Sequence, residues 1–242
     1  DNGELTLKVI AQDTAKIDFD TGYKLNATLV DDSEKEVESQ FKFVPFKFSL
    51  VDGDNLTNRL DAIAGQATPT VTKVLACDSG DSIVVAENYT GEAGDEVTIA
   101  HELDSSWSGS DGSLIYLPEF EEGSASTDLT ISESGLFNVT LKDSSFDCTG
   151  FSGCPEDGNY DVEGSFSVYS RPWKFAICTD KSSDGNSNEK DSDSFAAAGA
   201  PFDVYARPIK HTDSSSVCTD DNLLTNNYFE SAASVKVTTT LD

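Results

Sequence analysis

The sequence predicts an all-β protein whose chain passes more than once through the same β-rich unit. Three observations carry this expectation. Apolar side chains alternate at period two in many short segments, and no segment has the 3.6-residue periodicity of an amphipathic helix. Turn residues recur at short intervals between those segments. Finally, Arg171-Pro172-Trp173-Lys174-Phe175-Ala176-Ile177-Cys178 has an imperfect earlier copy in Val44-Pro45-Phe46-Lys47-Phe48-Ser49-Leu50-Val51. Each copy begins with Pro, which fits the start of a strand and not its middle, and continues in alternation with one Lys.

The elements follow in order. Gly3–Ile10 and Tyr23–Val30 alternate as strands, Asp31–Glu38 reads as an acidic connection, and Phe41 opens the next strand. Val44–Val51 is the first copy of the key strand, and Asp52-Gly53-Asp54-Asn55 after it is a turn. Thr68–Leu75, Ile83–Val85, Glu96–Leu103, Leu114–Leu117, Thr127–Ile131, Leu136–Leu141 and Tyr160–Tyr169 are further strands. Ser105–Gly112, which holds Trp107, and Cys148–Gly158 are loops.

Landmarks then repeat at a drifting offset. Pro45 and Pro172 are 127 apart, Gly65 and Gly199 134, Asn88-Tyr89 and Asn227-Tyr228 139, and Val97 and Val235 138. Drift of this kind puts insertions in loops, where extra length costs little. Gly22-Tyr23-Lys24-Leu25-Asn26-Ala27-Thr28-Leu29 likewise shares a pattern with Gly135-Leu136-Phe137-Asn138-Val139-Thr140-Leu141. Residues 1–43 therefore read as the back half of a unit, 44–168 as a complete unit, and 169–242 as the front half of another. Half a sandwich exposes sheet edges and an apolar face. Residues 1–43 of the same or a neighbouring chain are expected to complete residues 169–242, or further copies on a longer parent chain supply the missing halves.

Composition narrows the function classes. The 242 residues contain 14 Phe and 7 Tyr, enough aromatic surface for a real core. A net charge of −28 with only 16 Lys plus Arg makes nucleic acid and anionic membrane surfaces poor partners. Strong acidity fits high ionic strength, or a protein that takes calcium from its medium. The chain has no Met, so Asp1 is expected not to be a translation start and the chain to be a mature form or an excerpt. No signal-peptide h-region and no membrane-spanning apolar run is present in this segment. Five cysteines without CxxC or His-rich spacing point away from zinc and towards an oxidising, extracellular or cell-surface location.

The motif Arg171-Pro172-Trp173-Lys174-Phe175-Ala176-Ile177-Cys178, with Ala198-Gly199-Ala200-Pro201-Phe202-Asp203-Val204, Glu122-Gly123 and Ser134-Gly135, resembles the C-terminal repeats of bacterial MshQ proteins. These are encoded with the mannose-sensitive haemagglutinin (MSHA) type IV pilus of marine Gram-negative bacteria. The first copy departs from the pattern, with Val44 for the Arg and Phe46 for the Trp. The resemblance implies immunoglobulin-like β-sandwich units in tandem and a role in pilus biogenesis or tip adhesion. Neighbouring copies, other domains of the same parent protein, pilus subunits and surface glycans are the partners this implies.

No catalytic constellation stands out, so the chain is expected not to be an enzyme. Asp180, Asp184, Asn186, Asn188 and Asp191 could wrap a calcium ion, with Gly185 allowing a sharp turn; the same stretch also reads as a solvated acidic loop. Cys148 and Cys154 flank a loop that a disulfide could close. Cys178 and Cys218 could bridge the second unit. Cys77 occupies the place of Cys218, but Val51 stands where its partner belongs, so Cys77 is expected to be unpaired and buried. His101 and His211 are expected on surface strands or loops, without a second His or a nucleophile beside them. Trp173 is expected in the core. Trp107 on its polar loop could stack on a sugar or anchor a partner, or fold back as a lid on the sandwich. A structural and adhesive module of a pilus- or surface-filament-associated protein is the leading reading. A carbohydrate-binding module, or a filament subunit that polymerises by completing its neighbour's half-sandwich, is the alternative.

Overall fold

A computed structural model describes residues 13–29, 32–77, 83–179 and 204–230. They form sixteen strands, two single-turn 3-10 helices and one four-residue helix. In chain order the strands are β1 (Tyr23–Leu29), β2 (Asp32–Phe41), β3 (Lys47–Asp52), β4 (Asn55–Thr57), β5 (Arg59–Ile63), β6 (Thr68–Cys77), β7 (Ile83–Val85) and β8 (Gly91–Glu92). They continue as β9 (Val97–Leu103), β10 (Leu114–Ile115), β11 (Glu119–Phe120), β12 (Ser124–Ile131), β13 (Gly135–Asp147), β14 (Asn159–Arg171), β15 (Lys174–Thr179) and β16 (Val204–Ile209). The short helix, α1, is Asn227–Glu230. The protein is all-β with several sheets, as expected.

Two large sheets share one core. The first runs β10-β12-β6-β3-β4, with β7 on β6; the second runs β5-β14-β13-β9. Alternation supplies the packing. Phe48 and Leu50 of β3, Val74 of β6, Leu129 of β12, Phe137, Val139 and Leu141 of β13, and Phe166 and Val168 of β14 all point into one buried cluster. Each large apolar side chain buried there contributes about 1.5–3 kcal/mol relative to exposure. The sheets come close together at Gly164, where a Cβ would lie 2.1 Å from the Phe48 carbonyl oxygen. Only glycine lets β14 cross β3 there.

The remaining pairs are small. β1 pairs with β2, β8 with β11 and β15 with β16, each antiparallel and two-stranded. The acidic stretch expected as a connection is strand β2, and Phe41 ends that strand rather than starting the next. Strands β4, β5, β8 and β11, two to five residues each, are not among the expected strands; β4 begins at Asn55, the last residue of the expected turn. The expected strand Gly3–Ile10 lies outside the described residues.

The second pass reproduces the first in register. Lys47 faces Leu75, Phe48 Val74 and Leu50 Thr72. With offsets of 127 and 134, Lys174 faces Ile209, Phe175 Pro208 and Ile177 Ala206. Backbone hydrogen bonds repeat as well. Phe46 N–H donates to Leu75 and Trp173 N–H to Ile209; Ala86 donates to Val74 and Thr225 to Pro208; Tyr89 donates to Ala86 and Tyr228 to Thr225. An edge-to-face aromatic pair repeats too: Phe48–Tyr89 at 5.9 Å and Phe175–Tyr228 at 5.3 Å.

The buried faces of the two hairpins are nevertheless opposite. Phe48 and Leu50 are each 2% exposed. Their counterparts Phe175 and Ile177 are 37% and 38% exposed. The second hairpin instead buries Ala176, Cys178 and Ile209, with Val217, Cys218 and Leu223, in a separate small cluster. Trp173 packs against the side of that cluster and is half-buried, not core; Lys174 sits 4.0 Å over its ring.

Register repeats at the other end also. Leu25 faces Ser39 and Asn26 Glu38 in β1–β2, as Phe137 faces Val168 and Asn138 Ser167 in β13–β14, with constant offsets of 112 and 129.

Candidate functional site

The geometry concentrates at the junction between the two passes. Strand β14 runs straight into Pro172, and backbone hydrogen bonds tie the passes together: Ala64 N–H donates to Arg171, Gly65 N–H to Ile131, and His211 N–H to Ala64. Glu133, 6% exposed, sends one carboxylate oxygen to the N–H of Asn226 at 3.0 Å and the other to Asn227 at 2.9 Å. The Asn227 side chain completes the clasp. Its amide donates to the Ser110 carbonyl at 2.8 Å and its oxygen accepts from Ser110 N–H at 2.9 Å. Gly109 makes room for it: φ is +133°, and a Cβ would lie 2.0 Å from the Asn227 oxygen. A buried carboxylate holding two N–H groups is stable only while both donors stay in place.

The same device appears one pass earlier. Glu87 N–H donates to Ala15 at 2.7 Å, and the Asn88 amide donates to Lys16 at 2.7 Å. In both passes the Asn of the Asn-Tyr pair fastens a segment that precedes the unit. Sequence reading found the Asn-Tyr landmark but not Glu133, because no local signal marks a carboxylate whose partners lie over ninety residues away.

Trp107 is half-buried, edge-on to Tyr169 at 6.3 Å, on whose face Arg59 sits at 5.1 Å. Beside them a groove of about 510 Å³ is lined by Arg59, Asp61, Gln66, Tyr169 and Arg171. Asp61 holds Arg59 at 2.7 Å. A second groove of about 660 Å³ lies between strands β9 and β10, where Ile115 and Leu117 are 62% and 69% exposed. His101 lines it half-buried, with Nε2 lacking a partner among the described residues. His211 packs edge-on to Trp173, ring centroids 5.0 Å apart.

Both expected disulfides are formed: Cys148–Cys154 and Cys178–Cys218. They place the chain in an oxidising, non-cytoplasmic compartment. Cys77 is free, as expected, but exposed rather than buried: the β6 pleat turns Ala76 inward and Cys77 outward. The calcium candidates Asp180, Asp184, Asn186, Asn188 and Asp191 lie outside the described residues. Among the described residues no group of three or more His, Cys, Asp or Glu side chains could hold a metal ion. No helix among them is long and apolar enough to cross a membrane.

One deeply buried polar pair stands in the core of the first unit. Tyr89 Oη donates to Asp143 at 2.7 Å, and Asp143, 1% exposed, also accepts from Ser145 N–H at 2.8 Å. Burial, then the bond to Asp143, raises the Tyr89 phenol above its ordinary range. Burial pushes Tyr116 up to about 12, against the opposing effect of its hydrogen bond to Thr72.

No curated protein matches the chain. Residues 171–242 match the model of a family described as DUF6701, second domain. The match begins at Arg171, where β14 ends and the second pass starts.

Proposed function

We propose that the chain is a non-enzymatic structural and adhesive module of an exported protein associated with a pilus or surface filament. It is built from immunoglobulin-like units in tandem: 44–168 complete, 1–43 and 169–242 each half of another. The observation that carries this reading is the repeated hairpin register, joined through a hydrogen-bonded junction instead of a loose linker. Such a junction suits a spacer that must hold its direction. The resemblance to the MshQ repeats and the two disulfides support the same placement outside the cytoplasm. A calcium ion held by Asp180, Asp184, Asn186, Asn188 and Asp191 belongs to this reading, and calorimetry with calcium tests it: heat of binding is expected, and none removes the ion. Antibody against the chain should label intact cells of a bacterium that carries the gene. Label that appears only after the envelope is opened contradicts a surface role.

The groove beside Trp107 and Tyr169 favours a second reading, a carbohydrate-binding module. Aromatic edges next to Arg59, Asp61 and Gln66 combine an apolar platform with polar groups that could fix a sugar's hydroxyls. A glycan array separates the two: specific sugar binding that Trp107→Ala abolishes would favour the second.

A further inference from the structure

We infer that the β15–β16 hairpin is a docking face for the β1–β2 hairpin of a second copy of this chain. The first unit shows what covers such a face. There the equivalent residues of β3 and β6, Phe48 and Val74, lie under β13 and β14 in one core, with Gly164 of β14 against the Phe48 backbone. On the second hairpin Phe175, the counterpart of Phe48, is 37% exposed, and Val204 further along the same face is 52% exposed, while Pro208, the counterpart of Val74, is already buried. Tyr228 packs edge-on to Phe175 as Tyr89 does to Phe48, so the aromatic half of the core is already in place.

The occupant is identified by the same rule. Hairpin β1–β2 repeats the β13–β14 register, and Leu25 stands where Phe137 stands. Phe137 is fully buried, whereas Leu25 is 36% exposed. The base of β1–β2 is anchored to the first unit: Tyr23 and Phe43 pack on its core, and Tyr23 stacks on Phe41 at 5.8 Å. The hairpin is itself a two-stranded sheet, a form that gains stability by packing on another layer. One molecule thus carries a β13–β14 counterpart at one end and a β3–β6 counterpart at the other. Pairing them head to tail makes a heterologous contact that can propagate. Each copy carries a net charge of −28, so salt should strengthen the association by screening the repulsion.

The inference rests on the repeat and stands or falls separately from the surface role. Two measurements on the full chain test it. In sedimentation velocity, the average mass should rise with protein concentration and with added salt, and Phe175→Asp should return it to the monomer. A monomer throughout the micromolar-to-millimolar range overturns the inference. In a Cys77→Ser background, Leu25→Cys and Phe175→Cys variants are mixed and treated with a bis-maleimide spanning about 10 Å, the spacing of stacked sheets. A crosslinked pair is expected only in the mixture. Equal crosslinking of either variant alone overturns the proposal. So does ring closure within single molecules of the double variant, which would seat β1 on its own β15.

Discussion

Hairpins β3–β6 and β15–β16 share register, backbone hydrogen bonds and an aromatic pair, yet they bury opposite faces. The first lays Phe48 and Leu50 against a second sheet. The second turns Ala176, Cys178 and Ile209 onto a small cluster closed by Cys178–Cys218. Backbone pairing is therefore set by the strand and turn pattern, while the buried face is set by what lies alongside. The second hairpin keeps large apolar residues on its more exposed face and relies on a covalent staple for the other.

That contrast can be broken most sharply at Phe48. Phe48→Ala should cost about 3–5 kcal/mol by opening a cavity in the shared core. Phe175→Ala in the monomer should cost under about 1 kcal/mol, and denaturant titration of each variant checks the pair. Equal losses would mean both faces are packed alike. The staple comes next. Replacing Cys178 and Cys218 together by Ser should remove about 4 kcal/mol from the second unit, on the chain-entropy model for a 40-residue separation. The first unit's melting should stay in place. The Cys148–Cys154 pair, separated by 6, should cost nearer 2 kcal/mol by the same relation.

The junction is a third point of attack. Glu133→Ala leaves the N–H groups of Asn226 and Asn227 without their carboxylate and should cost about 2–3 kcal/mol. Asn227→Ala should cost about 1–2 kcal/mol. Differential scanning calorimetry should then show two transitions where the parent chain melts in closer concert.

The smallest effects are those of pH. Exposed carboxylates are held low by local donors: Asp18 by the Thr21 hydroxyl, Asp104 by Ser106, Asp147 by Thr149 N–H, and Asp161 and Glu38 by Lys142 and Lys24. A depressed carboxylate stabilises the fold above its ordinary pKa, and that contribution fades as pH falls through the folded value. Thermal stability should therefore decline gently below about pH 4. Tyr89 and Tyr116 are shifted the other way. Their contribution is full below the ordinary phenol range and is lost as pH climbs beyond about 10. A melting temperature flat from pH 9 to pH 12 would contradict that.

Much of the fold was legible because alternation reports burial directly. The pattern Val97-Thr98-Ile99-Ala100-His101-Glu102-Leu103 is a strand on sight, and the two Pro-led copies predicted a repeated strand, though not its partner Val204–Ile209. Asp32–Phe41 was not, because its charges mark a loop in isolation while β1 recruits it into a hairpin. Strands such as Glu119–Phe120 are too short to display a period. The buried face of β15 was illegible too: Trp173 and Phe175 look like the core residues, but the staple between Cys178 and Cys218 selects the other side of the pleat. Disulfide pairing was readable from Cys spacing, whereas the exposure of Cys77 depends on which side of β6 the last residue falls.

The most direct test of the account is the pairing of β15 with β16 in solution. Isotope-edited nuclear Overhauser contacts should join Phe175 to Pro208 and Ile177 to Ala206, the equivalents of Phe48 with Val74 and Leu50 with Thr72. A slip that sets Phe175 opposite Arg207 or Ile209 would put the second pass out of step with the first and contradict the repeated module on which the proposed function stands.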